Sequence, residues 1–203
     1  NSFNLIDGID GLSGTLGFII ISSFGVWFYL TGNMSLSFIS FAFLGGIMAF
    51  LVYNWYPSKI FMGDTGALMI GFLIGCLAIY FININFNLDP SSPLRFSATI
   101  GTAICILIVP LTDTLRIFIL RILSAKSPLH ADNNHIHHAL LMLDLNHAQS
   151  TLVLGVVNLL FIGLAILGKE WSEFQLLSSS ILLALLLLWV LHKLVIHKAQ
   201  TQK

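Results

Sequence analysis

The chain has 203 residues, 57% of them hydrophobic and only 9% charged, with nine basic residues balanced by nine acidic ones. A mean hydropathy of +0.92 excludes an ordinary soluble domain and puts the chain in the integral membrane class. Zero net charge excludes bulk attraction to nucleic acid, so no nucleic-acid partner is expected.

The first polar island is N-S-F-N-L-I-D-G-I-D-G-L, Asn1 to Leu12. Asn4, Asp7 and Asp10 are spaced by three, which on a helical turn puts them on one face. Two carboxylates and an amide there suit Mg²⁺ or the hydroxyls and imide of a nucleoside. Two other readings stand beside that one. Either aspartate can cap the helix that follows, and D-G marks any turn. Gly8 and Gly11 allow a tight turn or the close approach of a ligand.

Spanning helices need about 20 mostly apolar residues, and lipid leaves bare backbone no partner, so helices are the expected solution. Six spans are predicted: Thr15–Leu30, Leu36–Tyr53, Gly66–Asn83, Ser97–Leu120, Ser150–Leu167 and Phe174–Leu194. The runs are continuous, without the two-residue alternation of a membrane barrel. The expected fold is an all-α multi-span bundle. Cys76 and Cys105 fall inside spans and suggest packing, not a disulfide framework.

The second island, N-W-Y-P-S-K-I-F-M-G-D-T-G, runs from Asn54 to Gly66 between the second and third spans. Asp64 reads as a plain helix cap or as a metal-holding carboxylate beside an anion-favouring helix start. Lys59 reads as an interfacial anchor or a phosphate contact. The loop N-I-N-F-N-L-D-P-S-S-P-L on the opposite side is an ordinary turn region. Asp113 lies near the end of the fourth span, after Pro110. It is either a functional ionisable group at membrane depth or half of an Asp113–Arg116 pair that satisfies itself.

The third island is S-P-L-H-A-D-N-N-H-I-H-H, Ser127 to His138. Its histidines read as hydrogen-bond donors to phosphate, as a zinc site, or as incidental residues of a solvated loop. All three islands fall on one side. Lys59, Arg116, Arg121, Lys126, Lys193, Lys198 and Lys203 lie on or near that side, and only Arg95 and Lys169 lie opposite. Seven against two makes the island side the cytoplasmic one.

In this order and at these separations the islands resemble the polyprenyl-phosphate N-acetylhexosamine-1-phosphate transferase family, glycosyltransferase family 4. The first is similar to its N-x-x-N-x-x-D-G-x-D-G-L and the second to its N-x-x-P-a-k-x-F-M-G-D-x-G-S-L. The third resembles the S-P-F-x-x-D-x-x-H-I-H-H-x-L of the branch that uses UDP-N-acetylglucosamine and related sugars; the phospho-MurNAc-pentapeptide branch has three consecutive histidines instead. The resemblance implies Mg²⁺, with Mn²⁺ as the alternative ion, held by Asn4 and Asp64. It implies nucleotide binding and catalysis at Asp7 and Asp10. It places Asp132, His135, His137 and His138 on the substrate diphosphate, the three histidines also in catalysis, with Arg121 a basic substrate contact. Ala67 stands where the family has Ser, and Ala139 where a basic residue often follows H-I-H-H.

The activity this implies is transfer of N-acetylhexosamine-1-phosphate from a UDP-sugar, UDP-GlcNAc first, to undecaprenyl phosphate. UMP is released and a cell-envelope polysaccharide such as O-antigen is started. The partners expected are then a UDP-N-acetylhexosamine, polyprenyl phosphate, membrane lipid and a second copy in a homodimer. The location is the bacterial inner membrane, with the site facing the cytoplasm. A transporter is the rival reading, and a metal-dependent membrane hydrolase a further one. A transporter predicts polar residues at mid-membrane depth, and the spans hold few. The family's Asp-Asp pair and a lysine lie upstream of the position of Asn1. We therefore expect residues 1–203 to be the C-terminal part of one polytopic domain, and this segment alone to be inactive.

Overall fold

A computed structural model describes residues 2–124 and 135–201. Among these residues the secondary structure is helical, without a strand. In chain order the helices are α1 (Ser2–Ile6), α2 (Leu12–Leu30), α3 (Met34–Asn54), α4 (Gly63–Asn87), α5 (Thr99–Ile106), α6 (Ile108–Leu123), α7 (Ile136–Leu141), α8 (His147–Leu167) and α9 (Glu173–Thr201). Five are long and apolar enough to span a membrane, and α5 with α6 makes a sixth if that bent pair is one span. The protein is thus an all-α, multi-pass membrane bundle.

The most enclosed span is α2, whose apolar 18-residue stretch is 61% buried; the matching stretch of α9 is only 11% buried and faces outward. Leu12, Leu16, Ile20, Phe24 and Phe28 form a fully buried stripe along α2. The hairpin to α3 follows from a left-handed Gly32 (φ 78°). The Asn33 N–H reaches Phe28 O at 2.8 Å and the Gly32 N–H reaches Tyr29 O at 3.1 Å, which satisfies the last carbonyls of α2. Gly25 then lets α3 come close, since a Cβ there would sit 2.8 Å from Cβ of Ser40.

The end away from the islands is tied by its own polar groups. Glu173 of α9 accepts the Ile100 and Gly101 N–H groups, both at 2.8 Å, and so caps α5 from another helix. The Asn85 amide accepts the Phe96 N–H at 2.8 Å and donates to Phe96 O and Thr99 Oγ1. Trp27 donates to Leu94 O, and Lys169 donates to Pro93 O.

One predicted span is corrected. Ser97–Leu120 is not a continuous helix: it breaks at Leu107 into α5 and α6, which meet at 82°. Pro110 has no N–H to give the carbonyl of Ile106, and its ring crowds that carbonyl. Asn158, buried at the middle of α8, donates its Nδ2 to Ile106 O at 3.2 Å instead. The break is therefore satisfied within protein, as it must be at membrane depth.

Candidate active site

The first island is built by a helix that stops early. α1 ends at Ile6 and the Gly8 N–H turns back to Ile6 O at 2.8 Å, so Asn4 alone is helical. Asp7 and Asp10 do not share a face with Asn4 on one helix, contrary to their spacing. Gly11, left-handed at φ 76°, opens α2 immediately after them. The two carboxylates diverge. Asp7 accepts the Ser13 hydroxyl at 2.6 Å. Asp10 accepts the Ser58 hydroxyl at 2.8 Å and the Ser58 N–H at 3.3 Å. His147 Nδ1 lies 3.2 Å from Asp10 Oδ2 and 3.4 Å from the Asp10 N–H; the shorter contact assigns the ring proton to Nδ1. Neither aspartate caps α2 through its side chain.

The second island is stitched to the first by Asn54. Its Oδ1 accepts the Gly11 N–H at 2.9 Å and its Nδ2 donates to Ile60 O at 2.8 Å. Trp55 packs against Gly11, where a Cβ would lie 3.1 Å from the ring. Asp64 occupies the first turn of α4 rather than its cap, which is Met62, and its side chain is exposed. Lys59 is exposed as well.

These surroundings push the two aspartates in opposite directions. Burial raises the Asp7 carboxyl most, the Ser13 hydrogen bond lowers it, and the Asp64 charge raises it again; the result lies above the ordinary carboxylate range. Asp10 also meets a burial penalty, but the bonds from Ser58 and His147 outweigh it and hold Asp10 below that range. Asp10 is therefore a carboxylate already matched by donors. Asp7 accepts the Ser13 hydroxyl and lies in the field of the Asp64 carboxylate, a contrast of the kind that separates roles in acid–base sites.

The third island packs directly on the first. His137 is 2% exposed, and a Cβ on Gly8 would lie 2.3 Å from its Nε2. Only glycine fits there. Neither ring nitrogen of His137 has a hydrogen-bond partner among the described residues. Burial first, then the neighbouring His138, brings His137 down to about 4. His138 is lowered too, by burial and then by His135. At neutral pH the His137 ring is thus neutral and keeps one N–H to donate. The rings cluster: His138 is tilted against His137 with centroids 4.3 Å apart, and His135 stacks parallel to His137 within 3° at 5.5 Å. Asp113 reaches this loop from α6, with its carboxylate 2.7 Å from His135 Nδ1, so the self-contained Asp113–Arg116 pair is not what it forms. Arg121 sits buried in the last turn of α6. Asp132 and His130 lie outside the described residues.

The structure brings Asn4, Asp7, Asp10, Asp64, His135, His137 and His138 to one end of the bundle. It adds Ser13, Asn54, Ser58 and His147, which the sequence reading did not single out. The Asp10–His147 pair joins residues 137 apart in sequence, and no local spacing signals it.

Among the described residues no three His, Cys, Asp or Glu side chains gather as a ready metal site. The nearest donors suited to a hard cation are oxygens: the Asn4 amide and the Asp7 and Asp64 carboxylates. Mg²⁺ commonly takes only one or two protein carboxylates and completes its shell with substrate phosphates and water. Asp7 and Asp64 are close enough to feel each other's charge, and oxygen donors of this kind suit a hard cation.

Residues 1–82 match the family described as "Glycosyl transferase family 4". The chain is 38% identical over 192 residues to a probable undecaprenyl-phosphate N-acetylglucosaminyl 1-phosphate transferase of Bacillus subtilis, covering 94% of this chain and 49% of that protein. It is 31% identical over 192 residues to the undecaprenyl-phosphate alpha-N-acetylglucosaminyl 1-phosphate transferase of Yersinia pestis, covering 93% and 49%. The match to the phospho-N-acetylmuramoyl-pentapeptide-transferase of Clostridium novyi, 40% identical over 79 residues, covers 39% of this chain and 24% of that protein. The chain thus spans about half the length of the first two relatives. Converging islands, a six-segment apolar bundle and these likenesses lead to one conclusion: the chain belongs to glycosyl transferase family 4.

Proposed function

We propose that the full-length gene product transfers N-acetylglucosamine-1-phosphate from UDP-N-acetylglucosamine to undecaprenyl phosphate and releases UMP, with its site on the cytoplasmic face of the inner membrane. The observation that carries this reading is the convergence of the three islands: Asn54 on Gly11, Ser58 and His147 on Asp10, and His137 on Gly8. The names of the relatives supply the sugar and the lipid. Their long matches, set against the short match to the muramoyl-pentapeptide enzyme, favour the N-acetylglucosamine branch.

In this reaction an oxygen of the lipid phosphate attacks the sugar-bound phosphorus, and the bond to the UMP oxygen breaks. Catalysis of this kind is mostly positioning and charge stabilisation. Asn4 and Asp64, with Asp7 beside them, would hold Mg²⁺, which supplies charge neutralisation on the diphosphate and the leaving group. Asp10 braces the turn by holding Ser58 and His147. His137 and His138 offer N–H donors to phosphate oxygens from a water-poor wall. Asp7, raised and partly buried, is the group best placed to exchange a proton. The Asn158 Nδ2 at mid-span is committed to Ile106 O, and the names of the relatives favour a transferase over the transporter reading.

The test is a membrane assay of the full-length gene product with radiolabelled UDP-N-acetylglucosamine and undecaprenyl phosphate, in a host lacking its own transferase. Lipid-linked label with matching UMP release is expected. Label that appears only with another nucleotide sugar would overturn the donor, and no lipid-linked label with any would overturn the reaction.

A further inference from the structure

The bend in the fourth span has a consequence at the histidine loop. Because α6 leaves α5 at 82°, the turn after Pro110 brings Asp113 against the start of α7. Asp113 is 2% exposed and His135 7%. Both carboxylate oxygens are committed there. Oδ2 lies 2.7 Å from His135 Nδ1, and Oδ1 accepts the Ile136 N–H, the first orphan donor of α7, at 2.8 Å. Asp113 therefore holds the ring and the backbone of the loop together, from a helix whose direction is set by Pro110 and Asn158.

We propose that Asp113 is the positioning residue of the histidine loop: it fixes Nδ1 of His135 as the protonated nitrogen and leaves Nε2 to serve the substrate. A carboxylate can only accept at neutral pH, so the facing imidazole nitrogen must carry the hydrogen. The remaining nitrogen belongs to a ring that lines an open hollow of about 260 Å³ together with Arg116, His138 and His192. An imidazole whose tautomer and angle are both fixed presents one defined group, an Nε2 lone pair that accepts a substrate N–H or O–H, and a free one presents either. The inference rests on the histidine loop being a substrate contact, as proposed above. It differs from a purely structural clamp because the chemistry passes through His135.

Two measurements on the full-length gene product test it. The first is ¹⁵N NMR of histidine-labelled protein, with the His135 signals assigned by their loss in His135→Gln. We expect the Nδ1–H tautomer in the wild type and its loss in Asp113→Asn, whose amide can still accept the Ile136 N–H but can turn its NH₂ to the ring. The second is a double-mutant cycle on turnover. Carboxylates behind working imidazoles are worth roughly 10–100-fold in activity, so Asp113→Asn should lower kcat by about that factor with little change in thermal midpoint. In a His135→Ala background the same change should cost less than about twofold more. Asp113→Glu should recover part of the loss. An Nε2–H tautomer in the wild type, or a full additive loss in the double variant, would overturn the proposal. A wild type without transferase activity would overturn the functional reading alone, and the nitrogen spectrum would still decide this one.

Discussion

The two ends of the bundle use polar side chains differently. At the end away from the islands the main polar groups are spent on the protein itself. Glu173 caps α5, Asn85 holds the Phe96 turn with both ends of its amide, and Lys169 meets Pro93 O. At the island end several are held in place but left unspent. His137 is buried with two nitrogens that have no partner among the described residues, Asp64 is exposed, and Asp7 is pushed above the usual carboxylate range. A buried polar atom without a partner costs free energy, and a protein keeps one where something else will meet it. Oxygens of Thr102 and Asn158 are also buried without a partner among the described residues, so unmet polarity marks a site only where ionisable groups gather around it.

The comparison predicts that substitutions at the island end weigh mainly on activity, while those at the far end weigh mainly on stability. The largest effect should come from Asp64→Ala, with transfer by the full-length gene product falling by on the order of 10²–10³-fold and insertion into membranes unchanged. Near-normal, Mg²⁺-dependent turnover would remove Asp64 from the metal set. Next comes Gly8→Ala. A Cβ 2.3 Å from His137 Nε2 must push the histidine loop away, so turnover should collapse. Overpacking costs roughly 1–3 kcal/mol, so a loss of thermal stability should accompany it. If both activity and stability survive, the contact between the first and third islands is wrong.

Acid should sharpen the contrast. His137 is lowered from 6.5 to about 4, so the folded protein binds its proton less readily than the unfolded chain. The stability that depends on a neutral ring is therefore complete above about pH 6.5 and drains away as pH falls towards 4. His137→Phe should flatten that part of the stability curve; an unchanged acid slope would count against burial as the cause. The smallest effect is expected at the far end. Glu173→Ala removes a helix cap and should cost about 1 kcal/mol in stability, read from denaturation, with turnover within about twofold of wild type. A larger loss of turnover would mean that the far end also shapes the site.

Much of this was legible in the sequence for a simple reason: partition into lipid is a sum over local residues. Six apolar segments and the three islands could be read from composition, and the alternation of spans put the islands on one side. Two features were not legible. An apolar run containing Pro110 reads as one span whether it is straight or bent. The bend at Leu107 depends on Asn158, 52 residues from the carbonyl it satisfies. Likewise the three-residue spacing of Asn4, Asp7 and Asp10 suggests one helical face, but Gly8 and Gly11 end the helix and Ser13, Ser58 and His147 pull the carboxylates apart.

By itself, then, the sequence determined that the chain crosses a membrane as helices, that its chemistry sits at one end, and which family its motifs resemble. Each of these is carried by short windows of residue types. The tertiary structure alone decided that Asp10 is held below the usual carboxylate range and Asp7 above it, that His137 is buried and pushed down, and that Asp113 meets His135 and the Ile136 N–H. Those properties depend on burial and on partners distant in sequence. The free energy of a charge is set by what surrounds it in space, not by what precedes it in the chain.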